Sequence, residues 1–107
     1  MSETVLESVA KVYAEALFDL ASESGTNDMI RQEMQTLAEL MAKDADFSAF
    51  LESPAISRKH KLNVLTKAFS GRFSDLTMNF LAVTAGKARL GLLPVIIPAY
   101  MDLEDGR

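Results

Sequence analysis

Over residues 4–22 the apolar side chains recur every three or four positions, a spacing that an α-helix gathers onto one side and that a β-strand, with its period of two, cannot use. Val5, Val9, Val12, Tyr13, Ala16, Leu17 and Leu20 make one stripe, and Ala10, Ala14, Phe18 and Ala21 make a second beside it. Only a narrow strip of Glu7, Lys11, Glu15, Asp19 and Ser22 is clearly suited to water. A helix with this much apolar circumference has to be covered by other elements, so the rest of the chain must be built around it.

The remainder reads the same way: helical spacing interrupted by three prolines and five glycines, with few alternating runs. The pattern predicts an all-α fold, a compact bundle of about six helices with one core across residues 1–107. The first helix is expected to start at Thr4, with Glu7 completing a capping box, and to end near Ser22. Gly25 stands where a left-handed C-cap is wanted, and Thr26 or Asn27 can cap a second helix to Lys43, with Ile30, Met34, Leu37, Ala38 and Met41 inward. A short third helix from Asp46 carries Phe47, Phe50 and Leu51, and Ser53 must be extended because Pro54 follows. Ser57 is the cap expected for a fourth helix bearing Leu62, Leu65, Ala68 and Phe69, which ends at Gly71. Ser74 caps a fifth from Asp75 to Ala88. The last opens near Pro94, and Pro98 means either a later start or a kink.

Helix five repeats the property of helix one. Leu76, Met78, Phe80, Leu81, Ala82, Val83, Ala85 and Ala88 spread around most of its surface. Two outcomes fit such a pair: both helices are central and covered on all sides, or one flank of each stays open as a groove for a partner's amphipathic helix. Ala14, Ala16, Ala82 and Ala85 would allow close approach in the second case.

Several function classes find no support. The net charge of −4 disfavours a domain that neutralises nucleic-acid phosphates. The chain has no cysteine, hence no disulfide or thiolate metal site, which fits a reducing compartment with the cytoplasm as default. The opening residues have neither a secretory nor a transit-peptide pattern. The apolar run from Leu90 to Ala99 is too short for a membrane span and holds two prolines. The sole histidine, His60, lies in the basic run Arg58–Lys61, where a solvated helix face accounts for it better than catalysis does. Asp44 and Asp46 read as a cap, and Glu104 and Asp105 as a fraying terminus, rather than as metal ligands. With no glycine-rich phosphate loop and no nucleophile elbow, no catalytic residue, metal site or cofactor is predicted. The alternatives from a different class are a helical bundle that binds nucleic acid through Arg58–Lys61 and a generic protein-interaction module.

Three segments carry a family resemblance. Val12-Tyr13-Ala14-Glu15-Ala16-Leu17-Phe18-Asp19-Leu20-Ala21 is similar to a Y-A-x-A-L-F-x-L-A signature, and Phe50 to Ser57 followed by Lys61 to an F-L-x-S-P-x-I-S-x-x-x-K stretch. Thr77-Met78-Asn79-Phe80-Leu81, with Arg89-Leu90 beyond, is the third. Together they resemble the N-terminal domain of the delta subunit of bacterial F-type ATP synthase, the counterpart of the mitochondrial oligomycin-sensitivity-conferring protein. The family often reads E-N-x-R-L where this chain has Gly86-Lys87-Ala88-Arg89-Leu90.

The resemblance implies a six-helix bundle atop the catalytic head, gripping the N-terminal helix of an alpha subunit between helices one and five. It implies a non-catalytic stator adaptor of proton-driven ATP synthesis, which links head to peripheral stalk and is located peripherally at the cytoplasmic face of the bacterial inner membrane. Carried over by position, the partner-binding residues are Tyr13, Ala16, Leu17 and Leu20 with Phe80, Val83, Thr84 and Lys87, of which Thr84 and Lys87 form a polar rim. The b subunits of the stalk are engaged by a C-terminal domain that this chain is expected to lack. Nucleic acid and membrane insertion are not implied.

Overall fold

The computed structural model describes residues 2–107, with side chains described from Val5 onward. It is all-α: six helices and one short 3-10 turn, with no strand among the described residues. The helices are α1 (Ser2–Ser24), α2 (Asn27–Lys43), α3 (Ala45–Glu52), α4 (Arg58–Phe69), α5 (Asp75–Gly86) and α6 (Leu93–Asp105), and the 3-10 turn at Leu90–Leu92 leads into α6.

The chain divides into two compact units, one of residues up to Ala38 with Leu92–Arg107, the other Glu39–Gly91. In the first, α1 packs along α6. Ala10, Ala14, Leu17 and Ala21 of α1 are buried, and the three alanines let a neighbouring helix come close. Ile30, Met34 and Leu37 of α2 and Leu93, Ile96, Ile97 and Tyr100 of α6 complete this core, where the Phe18 and Tyr100 rings meet edge to face at 6.4 Å. The second unit is more aromatic. Phe69 stacks on Phe73 at 4.6 Å and takes Phe47 edge-on at 6.3 Å, while Leu51, Leu65, Leu81 and Leu90 are buried.

Helix ends follow the local chemistry. Gly25 takes φ +68, and its amide and that of Thr26 bond to the carbonyls of Ser22 and Ala21, a Schellman closure of α1. Asp44, Ser57 and Ser74 cap α3, α4 and α5, each accepting from the amide three residues on, at 3.0, 3.1 and 3.3 Å. After α4 the Phe69 carbonyl accepts from the Arg72 amide at 2.9 Å, with Ser70 at φ −58, ψ 128 and Gly71 at φ +81. This is a type II turn, which demands a residue free to adopt positive φ at its third position.

Three expectations are corrected, and the place of Pro98, left open between a later start and a kink, is settled. The first helix begins upstream of Thr4, so Thr4 lies inside it and is not its cap. The third is capped by Asp44 and begins at Ala45, not Asp46. The fifth ends at Gly86 rather than Ala88, because Ala88 adopts φ +58 and the Ala88 and Arg89 amides turn back to Ala85 and Thr84. This is a second Schellman closure, with alanine where glycine would cost less. Pro98 lies inside α6, which opens at Leu93 with Pro94 in its first turn.

The F-L-x-S-P-x-I-S-x-x-x-K segment is explained as a corner. Ser53 is extended at φ −64, ψ 122 ahead of Pro54, and Ser57 starts α4. The Lys61 ammonium returns to donate to the Leu51 carbonyl at 2.8 Å, satisfying an orphan acceptor in the last turn of α3. Exposed His60 lies edge-on to Phe50 at 6.1 Å.

Candidate partner-binding surface

In the first unit α1 shows three faces. At 100° per residue, Ala10, Ala14, Leu17 and Ala21 point into the core, and Glu7, Lys11, Glu15 and Ser22 form a polar strip. The remaining arc of about 100° is apolar but not covered. Val5 and Val12 are each 62% exposed and Leu20 51%, Ala16 is exposed, and Val9 and Tyr13 are half-buried. Isolated exposed apolar residues need no explanation, whereas a stripe running the length of a helix does.

In the second unit α5 is apolar almost all round, and most of that circumference is used internally: Thr77, Phe80, Leu81, Thr84 and Ala85 are buried. Val83 is 58% exposed, and Lys87 one turn on is exposed. The Thr84 hydroxyl donates to the Phe80 carbonyl at 2.7 Å within the helix.

Of the eight residues expected to bind a partner, Ala16, Leu20, Val83 and Lys87 are exposed and Tyr13 is half-exposed. Leu17, Phe80 and Thr84 are buried and offer little or no surface; Thr84 in particular is no part of a polar rim. On α1, Val5 and Val12 extend the exposed stripe by more than two turns toward the N-terminus. Both belonged to the sequence stripe, but periodicity alone does not say which flank is covered.

Another site escaped sequence reasoning. Glu104, expected in a fraying terminus, is 4% exposed. One of its oxygens accepts from the Tyr100 hydroxyl and from Asn27 Nδ2 at 3.2 Å. The other faces Arg107 Nε at 2.9 Å, an ion pair without hydrogen-bond alignment. Asn27 also donates to Ser22 Oγ at 3.0 Å, while Arg107 reaches Asp28 at 2.8 Å and Arg31 reaches Asp105 at 2.7 Å. Burial, then the bond to Glu104, raises the Tyr100 pKa well above the usual phenol value, and the bond to Asp105 raises that of Arg31. Asn27, Tyr100, Glu104 and Arg107 thus tie the start of α2 to the end of α6, and Ser22 joins the end of α1 to them. They hold a structural carboxylate already compensated by donors, not a reactive one.

Among the described residues no cluster of His, Cys, Asp or Glu could hold a metal ion, and no single helix is long and apolar enough to cross a membrane. Residues 9–107 match the family model of the ATP synthase delta (OSCP) subunit. The chain belongs to that family. It is 36% identical over 106 residues to the ATP synthase subunit delta of Beijerinckia indica, covering 98% of this chain and 56% of that protein. It is 37% identical over 93 residues to the subunit delta of Chlorobium chlorochromatii, covering 87% and 52%. The chloroplastic subunit delta of Gracilaria tenuistipitata is 31% identical over 102 residues, covering 95% and 55%. The chain thus spans about half the length of the delta subunits it matches.

Proposed function

We propose that this chain is the head-binding part of a delta subunit, and that it docks the amphipathic N-terminal helix of an alpha subunit on the exposed apolar stripe of α1. The reading is supported chiefly by one observation: Val5, Val12, Ala16 and Leu20 keep one flank of α1 apolar and uncovered along its length. A partner helix repeating apolar side chains every three to four residues fits such a stripe. The half-buried Tyr13 ring can anchor at its edge. Val83 and Lys87 of α5 are likewise exposed, an apolar and a charged position that the family resemblance assigns to partner binding.

The domain's role is mechanical and non-catalytic: it holds the catalytic head stationary against the rotor, as part of the link to the peripheral stalk. The b subunits of that stalk are engaged by the region that the longer relatives possess beyond this one. The complex places the chain peripherally at the cytoplasmic face of the bacterial inner membrane.

The test is a titration of an alpha-subunit N-terminal peptide into the protein and into Leu20→Glu and Val83→Glu. Both positions are exposed, so both variants should melt as the parent does, yet each buries an unpaired carboxylate once the peptide binds. Peptide affinity should fall at least tenfold in each. Unchanged affinity in both would reject the assigned surface.

A further inference from the structure

The first unit carries another surface, on the far side of α1 from Val12 and Leu20. An open groove of about 750 Å³ runs between α1 and α6. Along α6 its lining falls into two rows of i, i+4, i+8 spacing. Val95, Ala99 and Leu103 are half-buried and make an apolar floor, and Pro94, Pro98 and Asp102 are exposed and make one bank. Glu7 and Lys11 of α1 make the other.

Pro98 gives this groove a feature that an ordinary helix face lacks. Having no amide hydrogen, it cannot donate to the carbonyl four residues back, which is that of Pro94. A main-chain acceptor is thereby left without its helical donor beside exposed apolar surface, in a groove with a carboxylate on each bank. Lys11 follows Glu7 by one turn and leaves the banks net negative. The whole unit has ten acidic residues against three basic ones.

From this geometry we infer that the α1/α6 groove is a second docking site, which takes a cationic amphipathic helix of a partner protein. The apolar face of such a helix lies on Val95, Ala99 and Leu103, and its Lys or Arg side chains reach Glu7, Asp102 and the Pro94 carbonyl. The groove is about 12 Å long from Pro94 to Asp102, so it contacts two turns or more of the visitor. Charge complementarity selects the occupant, because an acidic helix would meet Glu7 and Asp102 with only Lys11 to offset them, in a unit that is itself acidic.

The site is tested on the 107-residue chain, labelled with ¹⁵N, using a synthetic amphipathic helix of Leu and Lys and its Leu/Glu counterpart as probes. The Leu/Lys peptide should shift the amides of Val95, Ala99 and Leu103, and the Leu/Glu peptide should leave them unmoved. The double variant Glu7→Lys, Asp102→Lys changes exposed residues only, so it should melt as the parent does while losing about tenfold in affinity. Pro98→Ala returns a donor to the Pro94 carbonyl; it should raise the melting temperature and weaken the peptide about threefold, a combination that a merely structural role would not give. Shifts confined to Val12 and Leu20, equal binding of the two peptides, or an unaltered affinity in the double variant would each overturn the inference. The groove variants leave Leu20 and Val83 untouched, and the alpha-subunit peptide is read at those two positions, so the two surfaces stand or fall separately.

Discussion

The unit built from α1, α6 and most of α2 and the unit built from α3 to α5 solve the same problem, ending short helices in water, by different means. In the second, each helix start is closed by its own neighbour in sequence, with Asp44, Ser57 and Ser74 bonding three residues ahead. In the first, Asn27, Tyr100, Glu104 and Arg107 join chain segments more than seventy residues apart around a buried carboxylate. Their charges differ as well: ten acidic against three basic residues in the first unit, five against eight in the second. Local closure contributes modestly at each site and fails piecemeal. A shared buried network concentrates its contribution in one group, whose loss is felt by all its partners at once.

The comparison is broken most directly at Glu104. Glu104→Ala strands the buried Tyr100 hydroxyl and leaves Asn27 with Ser22 and Arg107 with Asp28 as their remaining partners, and should cost about 3 kcal/mol in urea unfolding, since stranding a buried donor and opening a cavity are both expensive. A loss under 1 kcal/mol would show that the network is ornamental.

The same network sets a limit in alkali. The raised pKa of Tyr100 means that the folded state holds the phenol proton more tightly than the unfolded state does. That contribution is fully present below pH ~10, the unfolded phenol value, and is lost as the pH climbs above it toward the folded value. Denaturation midpoints should therefore fall from about pH 10 upward, and Tyr100→Phe should remove this alkaline slope while lowering stability at neutral pH.

Smaller effects are expected in the other unit. Ser57→Ala and Ser74→Ala each remove one cap and should cost about 1 kcal/mol, and the double variant should lose close to the sum, since the two caps share no partner. A strongly non-additive result would contradict the picture of independent local closures. Smallest of all is Ala88→Gly. It relieves a side chain held at φ +58 and should raise stability by about 0.5 kcal/mol, read as a slightly higher melting temperature.

The same division separates what could be read in advance from what could not. The six helices, the caps at Ser57 and Ser74, the left-handed Gly25 and the turn at Gly71 are decided within a few residues, and all were legible. The end of α5 was not, because alanine gives no sign that it will occupy a glycine conformation. At the candidate surface, the stripe containing Tyr13, Ala16 and Leu20 was legible as apolar, and so was Val83 on α5. That Leu17, Phe80 and Thr84 are consumed by the core was not.

By itself, then, the sequence determined the class of fold, the placement of the helices and the residues available for apolar contact. These depend on backbone propensity, capping and a 3.6-residue period, all of which act over one or two turns. Only the tertiary structure decided which side of α1 faces inward, that Glu104 is an interior group, and that Pro94 and Pro98 border a groove with Glu7 across from them. Helical periodicity states how much apolar surface exists, but covering it takes a second element from elsewhere in the chain. Whether a given side chain becomes core, interface or surface is therefore a property of the pair of elements and not of either alone.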